Sequence, residues 1–189
     1  DRVTNYKGKT RDFTSQELKK IRVNDKFQIP FLEDLLDSFS QNYFSIDMKS
    51  DESVIPLIKL VRKMNAIDRV CFASFNQQRL DYVREEFSNK CISSMGPKEI
   101  VKTKLCSIFN IKHNVLPLIS SLPIKRYKIE LLNKKHVDFL KSLNIKVIAW
   151  TINDANEITR LIDLGVDGIM TDKISALKEI LIKKNLWQH

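Results

Sequence analysis

The chain alternates six times between a short β-branched or aromatic run and a longer amphipathic stretch, and this alternation limits its fold more than any other feature. The short runs start 21 to 31 residues apart, at positions 43–47, 69–73, 91–94, 115–119, 146–151 and 167–171. Apolar residues between them recur at i, i+3, i+4 and i+7, as on one face of an α-helix. Six successive β-then-α units predict a parallel sheet covered by helices.

A (β/α)8 barrel is the parallel-sheet fold that these units match best. The four glycines form neither GxGxxG nor GxxxxGK[ST], which disfavours a doubly wound nucleotide-binding fold. A complete barrel typically needs roughly 250 residues, whereas this chain has 189 and starts at Asp1. We therefore expect one incomplete TIM barrel of about six units over residues 1–189, truncated at its N-terminus and without its first two strands.

Residues 1–41 differ from the rest and predict a helical lead-in to the units at 42–189. Thr14 and Glu17 have the spacing of a capping box, which predicts a short helix there. A second helix is expected over 31–39. Because the outer strands of an incomplete barrel would lack neighbours, we expect an open sheet with an exposed apolar wall that favours self-association.

The formal net charge of +9 permits attraction to nucleic acid, anionic lipid or phosphorylated small molecules. The basic residues are mostly lysines spread over every segment, without a run of five or an interleaved aromatic stripe, so we expect no nucleic-acid partner. No stretch reaches the roughly 20 apolar residues of a membrane helix, so we expect no stable membrane insertion.

The cysteines favour a cytoplasmic location, and Cys71 and Cys91, which lie at or within apolar runs, are expected to be reduced thiols in the core. Cys71, Cys91 and Cys106 form no CxxC pair and are odd in number, so they predict neither a disulfide framework nor a zinc site.

Candidate functional residues lie where the predicted strands end, because barrel sites form at the carboxyl ends of strands. Asp47 and Lys49 would share one face there, since strand side chains alternate. A carboxylate and an ammonium group at that position suit a hard metal ion and a phosphate oxygen, respectively. The alternative is a weak surface pair in a solvated loop.

The other strand ends offer further candidates, each with a structural alternative. Ser74, followed by Phe75, could present a donor to an anion, or only help to cap the next helix. Trp150 could wall a substrate pocket or pack in the core. Lys125 and Arg126 could overhang the site or lie in a solvated loop.

None of the three histidines follows a predicted strand. His113 precedes one, His136 lies within a predicted helix and His189 is the last residue. The usual general acid or base is therefore missing from the expected site.

Taken in order, several segments of the chain resemble the glycerophosphodiester phosphodiesterase family. They are DRVTN at 1–5, TSQEL at 14–18, IPFLEDLL at 29–36, SIDMK at 45–49, SF at 74–75, WTIN at 150–153 and GVDGIMTD at 165–172. The similarity spans essentially the whole chain.

The resemblance implies a metal-dependent hydrolase that cleaves glycerophosphodiesters into an alcohol and glycerol 3-phosphate. By position, Asp47 would ligate a divalent cation, Mg²⁺ or Ca²⁺, and Lys49 would contact the phosphate. Trp150 would line the pocket for the glycerol or the headgroup. From their positions after the predicted strands, Ser74, Phe75, Lys125 and Arg126 are further candidate phosphate or pocket contacts.

Two departures from the family pattern bear on activity. The position of Asp47 is usually glutamate in the family. The family's HRG, PENT, E.D and HD segments, which carry both catalytic histidines and two acidic ligands, would all lie before Asp1. We therefore expect these 189 residues alone to show no measurable diesterase activity.

The alternatives are a non-catalytic relative that binds a phosphorylated ligand, a basic binder of nucleic acid or anionic membranes, and a sphingomyelinase D-like phospholipase.

Overall fold

The computed structural model describes residue 4 and residues 6–187, so parts of the DRVTN segment and His189 lie outside the described residues. The strands are β1 (Arg22–Val23), β2 (Phe27–Gln28), β3 (Phe44–Asp47), β4 (Val70–Ala73), β5 (Ile92–Ser93), β6 (Ile119–Leu122), β7 (Lys125–Arg126), β8 (Ile129–Glu130), β9 (Lys146–Ala149) and β10 (Gly168–Ile169). The helices are α1 (Ser15–Lys20), α2 (Leu32–Ser38), α3 (Val54–Lys63), α4 (Gln77–Glu86), α5 (Pro97–Phe109), α6 (Lys134–Ser142), α7 (Ala155–Leu164) and α8 (Ile174–Lys183).

Six parallel strands follow one another in chain order, as the alternation predicts. β3 pairs with β4 and β4 with β5, while β6 pairs with β9 and β9 with β10. A parallel bridge between Ser94 and Ile119 links the two groups of three. The order is therefore β3-β4-β5-β6-β9-β10, and β7–β8 is an antiparallel hairpin outside this series.

The curved sheet is an incomplete TIM barrel, open between its first and last strands. Within the described residues, β3 and β10 are each paired on one side only. The helices that follow the strands cover the sheet, which is the layer order of a β/α barrel. The same part of the chain contains no helix that is both long enough and apolar enough to cross a bilayer.

Local capping chemistry sets the helix ends. The Asn76 side chain accepts a hydrogen bond from the Gln78 N–H at the start of α4, and Asn133 and Asp154 do the same for α6 and α7. Pro97 opens α5, where its missing N–H costs nothing. Before the sheet, Thr14 and Glu17 form the predicted capping box of α1.

The fourth predicted strand was placed too early in the chain. It was expected at 115–119, but β6 runs from Ile119 to Leu122. Pro117 lies within the predicted run and cannot donate to a strand ladder. Ser120, which has turn-like chemistry, is instead fully buried in the strand.

Two apolar clusters hold the sheet and its helices together. One packs α2, α3 and α4 against β3 and β4, around Leu36, Val61 and Phe72. The other packs α6 and α7 against β6 and β9, around Leu122, Leu140 and Leu161. Each half of the sheet therefore has its own core, and the carboxyl ends of all six strands meet at one rim.

Candidate active site

A cleft of about 650 Å³ opens at the carboxyl ends of the six parallel strands. Each strand or the loop after it contributes at least one lining residue: Asp47, Ser74, Met95, Ser121, Trp150 and Met170. Helix α5 and the β7–β8 hairpin form the remaining wall. This is the end of a β/α barrel at which sites are built.

Asp47 and Lys49 both line the cleft, as expected from the alternation of side chains along β3. The Lys49 Nζ lies 2.5 Å from Asp47 Oδ2. The other carboxylate oxygen, Oδ1, is buried and has no hydrogen-bond partner. Met48, between them, is buried on the opposite face in the core. The pair therefore presents one exposed ammonium group to a ligand and keeps one carboxylate oxygen that is buried and unpartnered.

The loop after β3 is held by hydrogen bonds from two neighbouring segments. The Met48 carbonyl accepts from the Ser74 hydroxyl at 3.0 Å and from Arg79 Nη1 at 2.8 Å. Ser74 Oγ also accepts from the Asn76 N–H at 3.1 Å. Ser74 thus lines the cleft, but its hydroxyl proton is already donated to the carbonyl of Met48, the residue between Asp47 and Lys49.

Phe75 and Trp150 form an aromatic corner beside this pair. Their ring centroids are 5.8 Å apart in an edge-to-face arrangement, and both rings line the cleft. The Lys49 Nζ lies 5.3 Å from the Phe75 ring centroid. Trp150 is therefore in the pocket wall, one of the two places that the sequence left open for it.

Lys125 and Arg126, the two basic candidates after the fourth predicted strand, differ in their position relative to the cleft. Arg126 lines the cleft and Lys125 does not. Both belong to β7, a strand that the sequence reading did not predict, and neighbouring side chains on a strand point to opposite sides. Of the two, only Arg126 remains a candidate contact to a ligand.

An Asn–Asp contact joins the loops after β9 and β10. Asn153 Nδ2 donates to Asp172 Oδ2 at 2.9 Å, and Asn153 Oδ1 accepts from the Asp172 N–H at 2.9 Å. Asp172 is therefore not the N-cap of α8. Lys173 holds that position, because the Asp172 carboxylate points to Asn153 instead.

Sequence reasoning missed the residues that α5 and the hairpin bring to the cleft. Lys104, Leu105 and Val101 of α5 line it, together with Tyr127 and Ile129 of the hairpin. Burial lowers the pKa of Lys104, and the nearby Glu130 acts in the opposite direction. The sequence signal that could have found this wall was the apolar i, i+4 pair Val101 and Leu105. In the structure these two side chains are 60% and 54% exposed.

Histidines are absent from the described lining of the cleft. His136 is fully buried in α6, where its Nδ1 lies 2.8 Å from the Leu131 carbonyl oxygen. Burial, aided by the charge of Lys104, lowers the His136 pKa to about 4. Residue 4 and residues 6–187 also contain no cluster of three His, Cys, Asp or Glu side chains arranged to hold a metal.

Comparison with known proteins gives one consistent family. Residues 1–176 match the model of the glycerophosphoryl diester phosphodiesterase family. A probable glycerophosphodiester phosphodiesterase 2 from Mycobacterium tuberculosis is 23% identical over 91% of this chain and 67% of its own length. A glycerophosphodiester phosphodiesterase from Caldanaerobacter subterraneus is 27% identical over 97% of this chain and 77% of its own length.

A solved structure shares the fold. The phosphodiesterase of Oleispira antarctica, solved with the product sn-glycerol-3-phosphate, superimposes with a TM-score of 0.72 at 16% sequence identity. The match covers 96% of this chain and 75% of that protein. The chain thus spans about two thirds to three quarters of the length of these three relatives.

Proposed function

The chain belongs to the glycerophosphoryl diester phosphodiesterase family, and we propose that its cleft binds a glycerophosphodiester through the phosphate. The observation that carries this proposal is the Asp47–Lys49 pair at the carboxyl end of β3, within the cleft formed by all six strand ends. The product complex of the Oleispira relative supports a glycerol phosphate ligand. In the whole protein the reaction would be hydrolysis to an alcohol and glycerol 3-phosphate.

In this proposal Lys49 binds the phosphodiester. A lysine ammonium is a compact charge with three donors, which suits a phosphate oxygen. Asp47 holds that ammonium in place through Oδ2. The rings of Phe75 and Trp150 then provide an apolar wall for the carbon atoms of the glycerol or of the leaving alcohol.

Hydrolysis requires proton transfers at two oxygen atoms. The P–O bond to the alcohol breaks, a new P–O bond forms to water, the water loses a proton and the departing alkoxide gains one. The described lining of the cleft supplies no histidine for either transfer. We propose that these residues bind and orient the diester without completing the proton transfers by themselves.

A divalent cation, Mg²⁺ or Ca²⁺, would have one candidate ligand in this part of the protein. The buried, unpartnered Oδ1 of Asp47 suits a hard cation. Such cations take six or more oxygen ligands, and the described residues place no second acidic side chain in the lining. These residues alone therefore do not fit a complete cation site, and no step of the proposal runs through one.

Binding of glycerol 3-phosphate tests the proposed ligand. We expect isothermal titration calorimetry to show binding to the chain, weakened about tenfold or more in Lys49→Gln, because a charge-assisted hydrogen bond to phosphate is lost. Lys63→Gln is the matched control, since Lys63 also forms an exposed 2.5 Å ion pair, with Glu33, away from the cleft. Equal affinities for both variants would refute the assignment of Lys49.

Turnover separates an active hydrolase from a binding relative. We expect the 189 residues to release no measurable glycerol 3-phosphate from glycerophosphocholine, with or without added Mg²⁺ or Ca²⁺. Steady release that depends on protein concentration would contradict this expectation. The absence of histidine from the described cleft lining favours the second candidate, a non-catalytic binder of phosphorylated ligands.

We also propose that the protein functions in a reducing compartment such as the cytoplasm. Cys71, Cys91 and Cys106 are free thiols. Burial raises the pKa of Cys71 to about 12, so this thiol would stay protonated and unreactive. Free thiols are typical of proteins kept in a reducing environment.

A further inference from the structure

The Arg126 guanidinium lies against two aromatic rings in the cleft. Its guanidinium carbon lies 5.6 Å from the Phe75 ring centroid and 5.4 Å from that of Tyr127. Neither a hydrogen bond nor an ion pair joins its side chain to any other described residue. By contrast, Arg62, Arg69, Arg79, Arg84 and Arg160 of the β/α units all donate to carboxylates or carbonyls. The donor groups of Arg126 are therefore available to a ligand.

The hairpin register explains why Arg126, and not its neighbour, faces the cleft. Arg126 pairs across the hairpin with Ile129, which also lines the cleft, whereas Lys125 pairs with the exposed Glu130. Paired residues lie on the same face of a sheet. The two basic residues of β7 thus differ in position while they carry the same charge.

Arg126 and Lys49 share the Phe75 ring. Lys49 Nζ lies 5.3 Å from the ring centroid and Arg126 Cζ lies 5.6 Å from it. Both distances are within the roughly 6 Å range of a cation–π contact. The ring that could otherwise receive a quaternary ammonium group is therefore already in contact with two cations of the protein itself.

The charges along the cleft are unbalanced. Its described lining contains Lys49, Lys104 and Arg126, and a single acidic residue, Asp47, which is paired with Lys49. Within the lining Lys104 and Arg126 therefore have no acidic partner, and Glu130, which lies outside it, is the acidic residue near Lys104. Their field favours a ligand with net negative charge and disfavours a cationic headgroup.

From this arrangement we propose that Arg126 determines headgroup specificity. It selects glycerophosphodiesters whose headgroup is an uncharged polyol or an anion, such as glycerophosphoglycerol, over those with a choline headgroup. The guanidinium fork can donate two parallel hydrogen bonds to neighbouring hydroxyl or carboxylate oxygens. The inference rests on the proposed function, because it takes the phosphate to lie at Lys49.

Calorimetric titration with two matched ligands tests the inference. We expect the chain to bind glycerophosphoglycerol about tenfold more tightly than glycerophosphocholine, a difference of about 1.4 kcal/mol. High salt should reduce this preference, because it screens exposed charges. In Arg126→Gln we expect the preference to fall below about threefold, whereas Lys125→Gln, with the same loss of charge outside the cleft, should keep it. Circular dichroism of both variants checks that they remain folded.

Each outcome of this experiment has a distinct meaning. Equal affinity of the parent chain for the two ligands overturns the inference, and so does an equal loss of preference in both variants. If Arg126→Gln weakens both ligands by the same factor, Arg126 is a general anchor and not a specificity residue, which also overturns it. Binding of neither ligand refutes the proposed function itself, and the inference falls with it.

Discussion

Arg84 is a buried cation that joins α4 to β5 and α5. Its guanidinium contacts both carboxylate oxygens of Glu99, at 2.8 and 3.0 Å, as well as Ser93 Oγ and the Ser94 carbonyl. Glu99 in turn accepts from the Gly96 N–H at 2.7 Å. This network fixes the start of α5, the helix that forms one wall of the cleft.

We expect Arg84→Met to lower the free energy of unfolding by about 3 kcal/mol, because it removes one partner of a buried ion pair. The methionine keeps the packing of the aliphatic stem but leaves Glu99 and Ser93 without their donor. Urea unfolding measures the loss. Asp81→Asn is the control, since the contact of Asp81 with Arg84 is longer, at 3.3 Å, and mostly exposed, so its change should stay within about 0.5 kcal/mol.

His136 makes stability depend on pH. Burial lowers its pKa to about 4, against an ordinary value of 6.5. Between these values the unfolded chain binds more protons than the folded one. The contribution of His136 to the free energy of unfolding is therefore fully present above pH 6.5 and is lost as the pH drops toward 4. The integrated loss is up to about 3 kcal/mol.

We expect the variant His136→Phe to lack this pH dependence of stability between pH 7 and 4.5. Urea unfolding of the parent chain at several pH values from 7 to 4.5 should show falling stability, and the variant should give a flatter profile. This range reaches the ordinary pKa of Glu17 and Glu52, 4.5, only at its lower end, and hydrogen bonds to Thr14 and to the Glu52 backbone, respectively, lower their pKa values in the folded chain. Parallel profiles for both proteins would show that His136 is not responsible.

At the scale of the element, helix ends depend on one residue each. Gly165 ends α7 with a left-handed backbone, φ 92°, and Asn110 ends α5 with φ 54°. Glycine has no Cβ and therefore adopts this conformation without steric strain, and asparagine adopts it with less strain than most residues. The Gly165 N–H donates to the Leu161 and Ile162 carbonyls at the end of the helix.

We expect Gly165→Ala to destabilise the protein by about 1 kcal/mol, because alanine must adopt the left-handed conformation. Gly168→Ala is the matched control. Gly168 has no positive φ, and an added Cβ would meet Ile148 at an ordinary 3.5 Å. Thermal unfolding of the two variants should differ clearly, and equal melting temperatures would contradict the backbone explanation.

At the scale of the whole molecule, the open sheet leaves apolar surface in contact with water. Helix α5 exposes 50% of Ile108 and 72% of Phe109, in addition to the partly exposed apolar residues that line the cleft. β3 and β10 each lack a partner on one side within the described residues. Exposed apolar patches and unpaired strand edges both favour association between chains.

We therefore expect the chain to self-associate as its concentration rises from micromolar to millimolar, as measured by sedimentation velocity. Phe109→Lys should weaken this association, because it places a charge on the apolar face of α5. Ile55→Lys is the control, since Ile55 is a similarly exposed apolar residue, 51%, on α3. A monomer at every concentration would show that neither the apolar face nor the strand edges cause association.

The parts of the fold that depend on local chemistry could be predicted from the sequence. Helix starts at Asn76 and Pro97 follow from capping, which acts over three or four residues. The shared face of Asp47 and Lys49 follows from strand alternation, which acts over two. The fourth strand was misplaced because the predicted run contains Pro117, which cannot donate to a strand ladder, and because burial places Ser120 in the strand against its weak local preference.

The order of the β/α units, their caps and the family were thus determined by the sequence, because each rests on spacing between near neighbours. Tertiary structure decided which side chains of α5 and of the β7–β8 hairpin join the predicted strand-end residues at the cleft. Arg126 and Lys104 reach it while Lys125 does not, because the hairpin register and the path of α5 depend on packing between distant segments. Residues from 45 to 170 converge on one rim, and no local pattern encodes that convergence.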